Sequence, residues 1–302
     1  MFLFEFDMRS DRLSDFNKIH YLCQNSNNEL KIRTFMKRYL LIAVMFACVL
    51  TSCGTKKSDI KNLVLYYSQT GATETVAQEL QKMLGADMEA IQLENPYAGT
   101  YMETIERVGK ERQNGELPAL LPLKSDLSKY DVIYLGYPIW YGTYAMPISS
   151  LVKDYDFAGK KVVTFCTFGS GGLEPAINDL KKALPDADIA ENGFGIRNAR
   201  MNSMTKELKR FMVENYYVEG TIEPLPEYSE KHPVTEEDID VFNQACGDYQ
   251  FPLGTPVSVG KRVTSESVDY IYDVESNGAK TTIYVTVSKT ANTKPEFTRV
   301  VR

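Results

Sequence analysis

Between Leu63 and Tyr216 short apolar runs alternate with segments of helical spacing, and this alternation restricts what the chain can fold into more than any other feature. Leu63-Val-Leu-Tyr-Tyr67 is a continuous apolar and aromatic run, the composition of a strand covered on both faces of a parallel sheet. Directly after it, Gly71 to Leu84 carries Val76, Ala77, Leu80, Met83 and Leu84 at helical spacing, with Gly85 in the C-cap position. The pattern repeats, with strands at Met88 to Leu93, Val132 to Gly136, Lys161 to Cys166 and within Asp188 to Ile196. Helices are predicted at Thr100 to Arg112, Pro147 to Asp154, Leu173 to Ala183 and Thr205 to Tyr216. Five strands alternating with five helices predict an α/β fold, a five-stranded doubly wound parallel sheet over residues 60–218. In such sheets a ligand lies beyond the carboxyl ends of the strands where the strand order reverses, which singles out the loops after the first, third and fourth strands.

The first of these loops, Ser68-Gln69-Thr70-Gly71-Ala72-Thr73, combines three hydroxyls, a glycine and the opening of a helix. Free helix amides with hydroxyls around them make an anion cradle that needs no Lys or Arg, although ordinary helix capping would use the same residues. The loop lacks both the Gly-Lys-Ser/Thr of a Walker loop and the further glycines of a dinucleotide fingerprint. The second loop, Tyr137-Pro138-Ile139-Trp140-Tyr141-Gly142-Thr143-Tyr144, sets the chain's one tryptophan beside three tyrosines. Aromatic rings at a loop suit a flat ligand, or else close a core edge. The third, Thr167-Phe168-Gly169-Ser170-Gly171-Gly172, is made mostly of small residues whose bare amides let a polar ligand edge, or simply a turn, come close.

Taken in order, Ser-x-Thr-Gly-x-Thr, Tyr-Pro-Ile-Trp-Tyr-Gly and Gly-Ser-Gly-Gly resemble the motifs of the flavodoxin family, over about half the chain. The resemblance implies an FMN cofactor. It implies that Ser68, Gln69, Thr70, Gly71, Ala72 and Thr73 hold its phosphate and that Trp140 or Tyr141 covers one face of the isoalloxazine. Backbone from Pro138, Ile139 and Gly142 and from Thr167, Phe168, Gly169, Ser170 and Gly172 would line the ring's polar edge. The family's short form is expected, with no long insertion in the fifth strand. Residues 62–80, 131–152 and 162–180 hold no Lys, Arg or His, so a flavin without a neighbouring cation, and therefore of low potential, is expected. Cys166, ending a core strand, reads as a buried small hydrophobe rather than a redox thiol.

Ahead of this region, Lys37-Arg38, the apolar run Tyr39 to Leu50 and Leu50-Thr-Ser-Cys-Gly54 follow the plan of a secretory signal and resemble a bacterial lipoprotein signal. In that reading translation starts at Met36, Cys53 carries the lipid, residues 1–59 are extension, signal and tether, and the protein sits in the cell envelope, anchored to the membrane. Two histidines and five cysteines, three of them before residue 54, leave little for a Ser-His-Asp triad, a metal site or a disulfide framework. A net charge of −6 argues against nucleic acid as a partner.

Glu219 to His232, rich in Pro, Glu and Tyr, reads as a linker. A helix at Thr235 to Cys246 follows, then strands at Pro256 to Val263, Ser267 to Val274, Thr281 to Val287 and Phe297 to Val301, with Asn277-Gly278 as a hairpin turn. This predicts a small α+β domain over residues 233–302, faintly similar to cystatins. Three functions are open at this level: an electron carrier with an unnamed redox partner, an FMN-dependent reductase of the NAD(P)H:quinone type, and a flavin-free binding lipoprotein.

Overall fold

The computed structural model of the chain describes residues 60–302 apart from Asn277, Ala291 and Asn292; Cys53 and the signal-like segment lie outside the described residues. Residues 60–302 form one compact unit containing two sheets.

The first sheet begins with β1 (Asn62–Tyr66), continues with β2 (Asp87–Ala90) and β3 (Val132–Trp140), and adds β4 (Thr143–Tyr144), β5 (Lys161–Phe168), β6 (Asp188–Ile189) and β7 (Phe194–Arg197). Its main order is β2-β1-β3-β5-β6, all parallel, so the chain winds outwards in both directions from β1 and β3. The expected fifth strand is split. β6 pairs with the start of β5 and β7 with its end, and between them Gly193 lies so close to Thr164 that a Cβ there would stand 2.2 Å from the threonine hydroxyl.

Successive strand residues point to opposite faces, and both faces are apolar. Leu63, Leu65, Ile133 and Leu135 face α2 (Tyr101–Asn114), α3 (Met146–Asp154) and α4 (Leu173–Ala183), while Val64, Tyr66, Tyr134 and Val163 face α1 (Ala72–Leu84) and α5 (Met204–Glu214). Gly136 in β3 is required by that packing: the Phe165 ring lies where a Cβ would be, 2.1 Å away.

Beyond α5, residues 219–231 form neither helix nor strand. They lead through the short β8 (His232–Pro233) into α6 (Glu236–Cys246) and an antiparallel sheet of β9 (Thr255–Val263), β10 (Ser267–Ser276), β11 (Ala279–Ser288) and β12 (Glu296–Val301). The order is β12-β11-β10-β9-β8, one strand more than the sequence pattern predicts, since His232–Pro233 pairs with β9. Phe242 and Cys246 of α6 cover a core of Val259, Tyr272, Ile283, Val285 and Phe297 on one face of this sheet. The mixed α/β class with a small α+β module at its end is thus as the alternation of runs predicts.

Candidate functional site

The carboxyl ends of β1, β3 and β5 open into a cavity of about 830 Å³. Helix α1 starts at its rim. Gly71, the N-cap, has φ 89°, a left-handed conformation that favours glycine, and a Cβ there would meet nothing within 4 Å. Ser68 Oγ accepts from the Gly71 and Glu74 amides at 3.1 and 3.3 Å, so this hydroxyl serves as a helix cap. Gln69, Thr70 and Thr73 line the cavity, whereas Ser68, Gly71 and Ala72 lie outside its lining. At the floor, the buried hydroxyls of Thr73 and Thr167 are 2.8 Å apart and tie the first loop to the third.

The aromatic segment is a hairpin rather than a loop. β3 runs on through Pro138 and Ile139 to Trp140, turns at Tyr141 and Gly142, and returns as β4 with Trp140 paired to Thr143. Tyr141 (φ 51°) and Gly142 (φ 80°) are both left-handed, as a tight two-residue hairpin turn requires. A tyrosine in that conformation is strained, and it is held there by its hydroxyl, which donates to Ile105 O at 3.2 Å, and by the Arg112 guanidinium, 5.0 Å from its ring centre. Pro138, Ile139, Trp140, Tyr141 and Gly142 all line the cavity. Trp140 stands edge-on to Tyr67 and Tyr97, at 5.9 and 5.3 Å. Behind it, Gln69 accepts from the Tyr67 hydroxyl and donates to Tyr97 O at 2.9 Å, while Tyr97 donates to Glu111 at 2.5 Å. Arg107 pairs with Glu111 at 2.8 Å and lies over the Tyr97 ring. Burial pushes the Tyr67 and Tyr97 hydroxyls well above the usual phenol range, and the Glu111 contact adds to the rise at Tyr97, so both stay neutral.

Thr167, Phe168, Gly169, Ser170 and Gly172 line the opposite side. Cys166 beneath them is wholly buried, and burial pushes its thiol up, as expected of a core residue.

Two groups of lining residues carry no signal in the three loop motifs. Gly99, Thr104, Ile105 and Val108 come from the segment after β2 and from α2. The run Pro96-Tyr-Ala-Gly-Thr100 is a visible turn, but the sheet rule directs attention to other loops. Tyr249, Phe251, Val300 and Arg302 come from the C-terminal module, and only tertiary docking brings them here. This docking also overturns the expectation of a cation-free site. Arg302 of the C-terminal module lines the cavity, while Arg197 of β7, outside the lining, donates to Gly169 O at 2.7 Å. Neither lies in the three segments whose lack of basic residues suggested a low potential.

A sequence model of the family described as Flavodoxin matches residues 61–215. Among solved structures, a candidate flavoprotein from Bacteroides eggerthii is 27% identical, with a TM-score of 0.44, the match covering 53% of this chain and 99% of that one. Another, from Bacteroides uniformis, is 28% identical with a TM-score of 0.45 and covers 50% and 98% of the two chains. A flavoprotein of Lactobacillus acidophilus, in complex with FMN, is 21% identical with a TM-score of 0.40, over 49% of this chain and 99% of that one. No curated protein matches the chain.

Proposed function

Because the chain belongs to the flavodoxin family, we propose that it binds FMN in the cavity above β1, β3 and β5 and passes electrons through it. The observation that carries this reading is the meeting of a helix mouth, an aromatic hairpin and a glycine-rich loop in one cavity. The donor set fits the cofactor. First-turn amides of α1 other than that of Glu74, which Ser68 caps, lack intrahelical acceptors, and with the exposed Thr70 in the lining they suit a phosphate without a basic side chain. Gly142 and Gly169 line the cavity, and their Cβ positions meet nothing within 4 Å, which leaves the polar edge of a ring room to approach the backbone.

FMN supplies one- and two-electron redox chemistry when bound. Trp140 or Tyr141 would cover one ring face, and main-chain groups of Pro138 to Gly142 and Thr167 to Gly172 would meet the polar edge. Among the described residues Glu174 is the one acidic side chain in the lining, and it is paired with Arg299 at 3.2 Å. The chain therefore offers little for general acid or base catalysis at this place, which favours electron transfer over hydrolysis or isomerisation. For the cellular setting we infer export and lipid attachment at Cys53. The basic Lys37-Arg38, the short apolar run and Leu50-Thr-Ser-Cys-Gly54 support it, and the redox partner is then one reachable at the membrane surface.

Trp140 is the only tryptophan, so its emission reports on this cavity. Titration of the purified protein with FMN is expected to quench that emission with one equivalent and to give a yellow complex. A colourless protein whose emission ignores added FMN would overturn the assignment in favour of a flavin-free binding role.

A further inference from the structure

The cavity reaches beyond residues 61–215. Its outer wall is made by Tyr249, Gln250 and Phe251, just after α6, and by Val300, Val301 and Arg302 at the end of β12. Main-chain contact sets the end of β12 in register with the glycine-rich loop. The Val300 amide donates to Ser170 O at 2.9 Å, and Gly171 pairs with Val300 in the manner of a parallel strand. No side chain fits at position 171, where a Cβ would stand 2.1 Å from the Val300 carbonyl oxygen. Arg197 joins the two parts from β7. Its Nε donates to Gly169 O, its Nη1 donates to Phe297 O at 2.5 Å, and its guanidinium lies 4.1 Å from the Phe297 ring centre.

Within this fixed frame Phe251 is conspicuous. The residue is 55% exposed, its ring stands edge-on to that of Tyr249 with centres 5.8 Å apart, and it borders the cavity. Tyr141, 56% exposed, borders the same cavity from the hairpin. Exposed aromatic rings seldom gather by chance; two of them, from segments far apart in the chain, suit a planar heterocycle that takes contact from both.

We propose that the C-terminal module is part of the flavin site, with Phe251 meeting the isoalloxazine and β12 holding the glycine-rich loop in place, so that the stretch matching the family is incomplete as a cofactor site without residues 249–251 and 300–302. This rests on the FMN reading above. The module then covers a part of the ring that solvent or a docking protein would otherwise reach.

The test uses the full chain, freed of flavin and titrated with FMN by Trp140 emission. Phe251→Ala removes an exposed ring and leaves the core intact. It is expected to weaken FMN by roughly 2- to 12-fold, the range of one aromatic contact, and to make the bound flavin more open to quenching by iodide. Val263→Ala, at a position on β9 that is 57% exposed and outside the cavity lining, should match the wild type. Equal affinity and equal quenching for the wild type and Phe251→Ala would overturn the inference, and so would an equal loss in Val263→Ala. Failure of the wild type to take up FMN is a different result, which removes the FMN reading and this inference with it.

Discussion

Gly71 shows how much one residue can hold. Its left-handed backbone starts α1, and the space where a side chain would go is empty. Gly71→Val fills that space and adds backbone strain of about 1–3 kcal/mol. FMN affinity should fall by more than the loss of stability accounts for, which urea denaturation and FMN titration of the same protein would separate. Unchanged affinity would move the phosphate elsewhere. The residues around Gly71 were legible in the sequence as a group, since a strand followed by small hydroxyl residues and a helix admits few other geometries. Their division of labour was not. Ser68 caps the helix and Thr73 spends a hydrogen bond on Thr167, because the partner a hydroxyl takes depends on where the neighbouring strand ends. The cations were hidden for a similar reason: Arg197 and Arg302 are remote from the loops in sequence and reach them only through packing.

At the level of elements, α6 opens with a reciprocal cap in which Thr235 accepts from the Asp238 amide and Asp238 accepts from the Thr235 amide at 3.0 Å. Asp238 is buried, and Lys261 Nζ lies 2.7 Å from its carboxylate. Burial favours the neutral acid, but Lys261 and the Thr235 amide and hydroxyl outweigh it and hold the carboxyl below its usual value. A carboxyl depressed in the folded state stabilises at every pH above its unfolded value, about 3.9. That stability goes as pH falls through the lower, folded value. The C-terminal module should therefore loosen in acid below about pH 4, where circular dichroism of Asp238→Ala, already weakened at neutral pH by loss of the reciprocal cap and the Lys261 pair, should change less than that of the wild type. The helices and most strands were legible because apolar spacing and end signals agree along each of them. The hairpin of the aromatic segment was not legible, because a proline ordinarily interrupts a strand ladder. Instead β3 continues, with Pro138 in register with Thr167 on one side and its carbonyl accepting from the Ala145 amide on the other, where no proline N–H is needed.

For the molecule as a whole, the two sheets are joined by arginines. Arg200, buried, bridges Glu207 at 2.6 Å and Glu296 at 3.1 Å, Arg299 reaches Glu174, and Arg197 spans two backbone carbonyls. None of this was legible, since no periodicity records which distant surfaces meet. One consequence concerns β12. It is the outermost strand of its sheet, and its free edge is occupied by Gly171 and Ser170. An uncovered edge strand is a template for pairing with another chain. The loop that borders the cofactor cavity thus doubles as a guard against self-association. Gly171→Val, whose side chain cannot coexist with the Val300 carbonyl, should turn a protein of constant size into one whose light scattering grows with concentration.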